Sequence, residues 1–243
     1  MNTQRTAANS AKRLRYALLF LVALNVALIV VRVLLYTPLL AQRNVQFFVL
    51  EPVVLLLIYA AIAFAMTAKR GERWHTILRT GTIIGLMTGT MWVVNLSLET
   101  FSRFSGILAT APFLLGAFVL WGVAGGIGAW RTGVAFPGIA AAIMAAMICV
   151  LITVAYGFLL TYTSLPRLER DLANSPDFLR SGWDDLRAFA IANTFDSGFS
   201  HLLGALIVST IFGAIGSGVG LLLVHHSYAS NSGSGSSKAD VIT

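Results

Sequence analysis

Six stretches of this chain are apolar over lengths close to or above the ~20 residues that an α-helix needs to cross a ~30 Å hydrocarbon core. They fall at residues 16–40, 47–68, 76–98, 107–130, 136–162 and 199–224. Inside a bilayer no water pairs with backbone N–H and C=O groups, so a spanning segment must satisfy its own. The runs are continuous rather than alternating, which selects helices over a barrel. The expected fold class is therefore all-α, a polytopic membrane helix bundle of about six transmembrane helices. Only 11% of the 243 residues are charged, against about 25% in a soluble domain.

The net charge of +7 does not imply a nucleic-acid partner. Much of the basic charge lies in two clusters beside apolar spans, Arg5, Lys12, Arg13 and Arg15, then Lys69, Arg70, Arg73 and Arg79. Such clusters mark cytoplasmic flanks of membrane helices, so the partner they imply is the lipid bilayer. They place the N-terminus inside a cytoplasmic (plasma) membrane, and six spans return the C-terminus to the same side. The segment 163–198 then falls outside, where Arg167, Arg170, Arg180 and Arg187 run against the rule. "AKRLR" before the first span resembles a signal-peptide start, but the apolar run is long and no A-x-A site follows. It reads as an uncleaved signal anchor. Residues 1–15 and the Ser/Gly-rich tail 227–243 are too polar to offset the entropy of ordering and are expected to be disordered, flanking a transmembrane domain at 16–226.

Between the fifth and sixth spans, residues 175–191 read as one amphipathic helix. Phe178, Leu179, Trp183, Leu186 and Phe189 gather on one arc, with Arg180, Asp184, Asp185 and Arg187 opposite. Ser175 is the expected N-cap, Pro176 the first helical residue, and Asp177 lies at the positive end of the dipole. The apolar face would either anchor in the lipid interface or cap the bundle.

Lipid tails are as apolar as leucine, so helices in a membrane associate through close packing at small residues. Gly81, Gly85 and Gly89 lie four apart in the third span, and Gly122 and Gly126 in the fourth. Gly138, Ala142 and Ala146 follow in the fifth, and Ala205, Ser209, Gly213 and Ser217 in the sixth, with Gly216 and Gly220 on an adjoining face. These stripes suit static packing and sliding helices alike.

Charged groups at membrane depth are costly and point to function when they occur. Arg32 and Glu51 lie at depths differing by about 6 Å on antiparallel neighbours, close enough for an ion pair. A second reading needs only Pro52: if the second helix starts there, Glu51 sits at its N-terminus near the surface, and Arg32 snorkels outward past a kink at Pro38. With Asn95 and Glu99, these two residues form the candidate polar pocket.

No catalytic set, metal cluster or cofactor motif is recognisable. The single cysteine, Cys149, excludes an internal disulfide. The adjacent His225 and His226 point about 100° apart on a helix, and H-E-x-x-H, nucleophile-elbow and phosphate-loop patterns are all missing. The chain is expected not to be an enzyme, to bind no metal and to hold no cofactor. In span number, length and orientation it resembles the substrate-binding subunits of energy-coupling-factor vitamin transporters, a likeness of architecture without a shared motif. The first expectation is small-solute transport or a permease subunit. The alternative is a non-catalytic scaffold or regulatory subunit that binds a membrane-protein partner through 163–198, or forms a homo-oligomer.

Overall fold

The structure, a computed structural model, describes residues 2–69, 71–101 and 107–233, with side chains at 9–69, 71, 73–101 and 109–226. Helices α1 (Asn2–Leu35), α2 (Val45–Ala68), α3 (Glu72–Phe101), α4 (Ile107–Thr132), α5 (Ala135–Leu172), α6 (Pro176–Ser181) and α7 (Leu186–Gly233) follow one another, with no strand among the described residues. All but α6 are long and apolar enough to cross a membrane. The protein is an all-α bundle of six membrane-length helices.

Helix α5 is the axis of the bundle. In its most apolar window 83% of residues are buried, whereas no other span exceeds 33%. Its composition explains the placement: Ala140, Ala141, Ala142, Ala145 and Ala146 are all buried, and short side chains let neighbours approach from several sides. Helices α1, α3, α4 and α7 surround it, while α2 packs mainly on α1 and α7. The α2–α7 contact is fixed by Tyr59, whose buried hydroxyl donates to the carbonyl of Leu202 at 2.7 Å.

The small-residue stripes lie where helices touch. A Cβ built on Gly81 would come within 2.8 Å of the Ala141 carbonyl of α5, and one on Gly85 within 2.7 Å of the Ala145 carbonyl. Gly89 is slightly less crowded, 3.2 Å from the Ile152 side chain. Between α4 and α7 the backbones nearly touch. A Cβ on Gly216 would collide with the Gly122 carbonyl and one on Gly220 with that of Gly126, while one on Gly213 would meet Ala142 of α5 at 2.7 Å. Gly125, which a four-residue spacing from Gly122 passes over, faces the Gly213 carbonyl at 2.6 Å.

Several boundaries differ from the sequence-based expectation. Residues 2–15 are helical and continuous with the first span, rather than a disordered arm. That span ends at Leu35, short of the expected residue 40, where Tyr36 leaves helical geometry at φ −135° and ψ 72°. Pro38 therefore sits in a separate 3-10 turn, Thr37–Ala41, and puts no kink in α1. At the other terminus α7 runs on to Gly233, past the expected start of the tail at 227, and 234–243 lie outside the described residues.

The second helix starts at Val45, preceded by Asn44 at φ 62°, a left-handed conformation that asparagine tolerates better than most residues. Pro52 thus lies inside α2 instead of at its start. The proline cannot donate to the Phe48 carbonyl, but packed membrane helices accommodate such a loss.

The single amphipathic helix expected at 175–191 is two helices. Ser175 does cap α6, its hydroxyl accepting from the Phe178 N–H at 3.1 Å with Pro176 at the first position. The helix stops at Gly182, whose φ of 69° suits a residue without a Cβ. Asp185 then caps α7, accepting from the Ala188 N–H at 3.0 Å. Half-buried Trp183 meets Phe48 of α2 and Phe189 edge-on, with centroids 5.8 and 5.9 Å apart. Phe178 packs on Phe189 at 5.3 Å. These rings lie against the bundle, leaving Leu179 70% exposed and Leu186 half-buried.

Candidate functional site

No hydrogen bond or ion pair among the described residues joins the four residues of the expected polar pocket. Glu51 is exposed, with no ion pair or hydrogen bond among the described residues. Arg32 is buried and turned toward α5, where its guanidinium donates to the Thr161 carbonyl at 3.3 Å and lies 4.8 Å from the Tyr162 ring centroid. The Glu51–Arg32 pair is therefore not formed, because Arg32 finds an aromatic face and a carbonyl on the central helix instead. Asn95 is 2% exposed and its Nδ2 has no partner. Glu99 accepts a hydrogen bond from Thr110 of α4.

Arg32 belongs to a polar crown at the end of the bundle away from the N-terminus. Tyr162 donates to the Leu28 carbonyl at 2.8 Å, which ties α5 to α1. The Tyr36 hydroxyl donates to Asp185 Oδ2 at 2.6 Å, and Arg187 Nε lies 2.5 Å from Glu169 Oε1. Burial, and then the bond to Asp185, push the Tyr36 hydroxyl up to about 12. Burial also opposes the charge on Asp185, but hydrogen bonds from Tyr36 and from the Ala188 and Arg187 backbone outweigh it and hold the carboxyl below its usual value. The crown staples α1, α5 and α7 together at their ends.

A cleft opens elsewhere. It lies among α3, α4, α5 and α7, holds about 240 Å³ and is almost wholly apolar. Trp92 of α3, Phe118 and Trp121 of α4, and Val150 of α5 form its walls, with Gly204, Ala205 and Val208 of α7. Small residues on α7 create the space: an added Cβ at Gly204 would meet no atom within 4 Å. Leu114, 39% exposed, stands at its lipid-facing side.

One polar group of the cleft is unsatisfied. Trp121 is 5% exposed, and its indole N–H has no partner. The other polar groups are mostly engaged. Thr153 donates to the Cys149 carbonyl at 2.9 Å, and His201 Nδ1 pairs with the Ser197 carbonyl at 2.7 Å. The His201 ring meets Trp92 edge-on at 6.3 Å and lines the cleft. A buried donor without an acceptor costs about 1–3 kcal/mol.

The sequence reading passed over this cleft because four helices supply its lining and no short motif links them. One signal was legible. Tryptophan favours the membrane–water interface, where its N–H stays wet, yet Trp121 lies midway along the Ala109–Thr132 span. Among the described residues no group of His, Cys, Asp and Glu could hold a metal ion. No protein-family model, no curated protein and no solved structure matches the chain.

Proposed function

We propose that this multi-pass membrane protein binds a small lipophilic solute from within the bilayer and acts in its transport. The observation that carries the reading is the apolar cleft with the unpaired Trp121 N–H at its wall. Binding sites for drug-sized molecules run from about 300 to 1,000 Å³, whereas an engineered apolar cavity of about 150 Å³ takes benzene. A cleft of 240 Å³ suits a ring with a short substituent, or a branched chain of similar bulk. The nearly apolar lining argues against ions and sugars, and a small turn of the Trp121 ring, whose N–H is buried in the wall, would offer its donor to a carbonyl or ether oxygen. Access through the lipid-facing side fits a solute that partitions into the membrane.

Benzophenone is a suitable probe, being a lipophilic aromatic ketone that photolabels neighbouring C–H groups. In the wild type, labelling should saturate and map by mass spectrometry to Val150–Thr153 and Ala205–Val208. Gly204→Leu, which fills the cleft without a backbone clash, should abolish the saturable labelling. Gly218→Leu should not, since Gly218 is equally open but does not line the cleft. Unsaturable labelling spread over all lipid-facing helices would remove the basis of the proposal.

A further inference from the structure

A second cleft lies between α3 and α4, at the end of the bundle that carries the N-terminus. Its volume is about 330 Å³, and it is lined by Arg79, Thr80, Ile83 and Ile84 of α3 with Ile127 and Arg131 of α4. Its origin is topological. Both helices pack on α5; α3 ends and α4 begins at the opposite end of the bundle, so their near ends are continuous with other helices rather than with each other.

The lining divides into two chemistries. Arg79 and Arg131 are exposed, and neither has a hydrogen bond or carboxylate partner among the described residues. Below them Ile83, Ile84 and Ile127 form an apolar channel, in which Ile84 is buried and Ile83 is 50% exposed toward lipid. The nearby Lys69 differs from the two arginines. Its ammonium lies 4.5 Å from the Trp74 ring centroid and 4.8 Å from that of Phe136. The two arginines therefore supply cationic capacity that no described group of the protein uses. Guanidinium forks match phosphate oxygens through paired N–H bonds.

We propose that this cleft is a binding site for an anionic phospholipid, with the headgroup phosphate between Arg79 and Arg131 and an acyl chain along Ile83, Ile84 and Ile127. The occupant must carry both parts. A free phosphate would leave the isoleucine channel empty, and a zwitterionic lipid would bring its own ammonium against the two arginines and offset none of their net charge, whereas a singly anionic headgroup offsets one. Basic pockets between membrane helices are a known mode of anionic headgroup recognition. The site is separate from the α3–α4–α5–α7 cleft and stands or falls independently of it.

The test uses the full-length protein in detergent micelles, with native mass spectrometry after addition of phosphatidylglycerol or phosphatidylcholine of matched chains. Phosphatidylglycerol should be retained preferentially. The preference should fall about fivefold for each arginine removed in Arg79→Gln and Arg131→Gln, while Arg43→Gln, remote from the cleft, should leave it intact. Inorganic phosphate and glycerol phosphate at millimolar concentration should not displace the lipid. A photoactivatable phosphatidylglycerol should label the Ile83–Ile84 and Ile127 peptides, a readout needing no variant. Equal retention of both lipids, a preference unchanged in the double variant, displacement by free phosphate, or labelling confined to other helices would each overturn the proposal.

Discussion

The Tyr36 hydroxyl donates to Asp185 at 2.6 Å across 149 positions of sequence, and the other oxygen of the same carboxylate caps α7. One side chain thus links the end of α1 to the start of the last helix. The geometry makes the junction sensitive to both extremes of pH.

The signs follow from the two shifts. Asp185 has a folded pKa below its unfolded value, so its contribution is present above about pH 4 and disappears as pH falls through the folded value. Tyr36 is raised to about 12 from 10.0, so its contribution is complete below about pH 10 and is lost as pH rises through 12. The junction is expected to hold at full strength between about pH 4 and 10, and to be lost only as pH falls through the lowered Asp185 value or rises through about 12. Hydrogen exchange at the Ala188 amide, expressed as a protection factor, reads it directly. Tyr36→Phe should lower that protection at neutral pH by about 0.5–1 kcal/mol equivalent, because the bond is partly exposed to water. Unchanged protection in Tyr36→Phe would mean that Asp185 caps α7 unaided.

Glycine substitutions should separate sharply by position along α7. Gly216→Ala places a Cβ against the Gly122 carbonyl, an atom of another helix backbone that cannot rotate aside. Gly218→Ala, two residues on, meets nothing within 4 Å. Overpacking typically costs about 1–3 kcal/mol, so Gly216→Ala should lower the thermal midpoint in detergent by roughly 5 °C or more. Gly218→Ala should change it little. Equal behaviour of the pair would show that α4 and α7 pack less tightly than their backbones indicate.

The spans were readable because hydrocarbon thickness imposes one length on any helix that crosses it. The interruptions were harder. Gly182 followed by Asp185 carries both a helix stop and a helix start, yet the apolar arc from Phe178 to Phe189 continues through them and suggested a single helix. At Pro52 the rule that proline begins helices competed with membrane tolerance of internal proline, and tolerance prevailed because α2 is packed along α1 and α7. Polar residues at depth were located by hydropathy alone, but a partner depends on helix rotation, which periodicity did not fix for Arg32. The apolar cleft arises from what α7 lacks at Gly204 and Ala205, and missing volume is visible only after helices are placed.

If the Trp121 N–H selects a ligand acceptor, a matched pair of ligands will reveal it. Benzophenone and diphenylmethane have similar shape, but only the first has a carbonyl. In the wild type, competition for photolabelling should rank benzophenone about fivefold tighter, the equivalent of about 1 kcal/mol for one neutral hydrogen bond. Trp121→Phe keeps an aromatic wall and removes the donor, so the ranking should collapse to near equality. A fivefold preference that survives in Trp121→Phe would assign the acceptor contact to another group, with Ser200 and His201 next along the lining.

The separation of Arg32 from Glu51 gives the last prediction. Arg32 is 9% exposed, and one of its buried donors, Nε, lacks a partner, so its charge is only partly compensated by the Tyr162 face and the Thr161 carbonyl. Arg32→Met retains the length of the side chain and removes the buried charge. Replacing a poorly compensated buried ion by an apolar group of similar volume is often neutral or stabilising, so this variant should unfold no earlier than the wild type. Glu51→Gln, at an exposed position on α2, should be within about 0.5 kcal/mol of neutral. The double variant decides between the two arrangements of the chain. Sites that do not interact add within about 0.3–0.5 kcal/mol, whereas breaking a buried ion pair through one partner costs about 3–5 kcal/mol. Additive midpoints in urea are expected. A coupling above about 1 kcal/mol would mean that α1 or α2 rotates in the membrane to bring the two charges together.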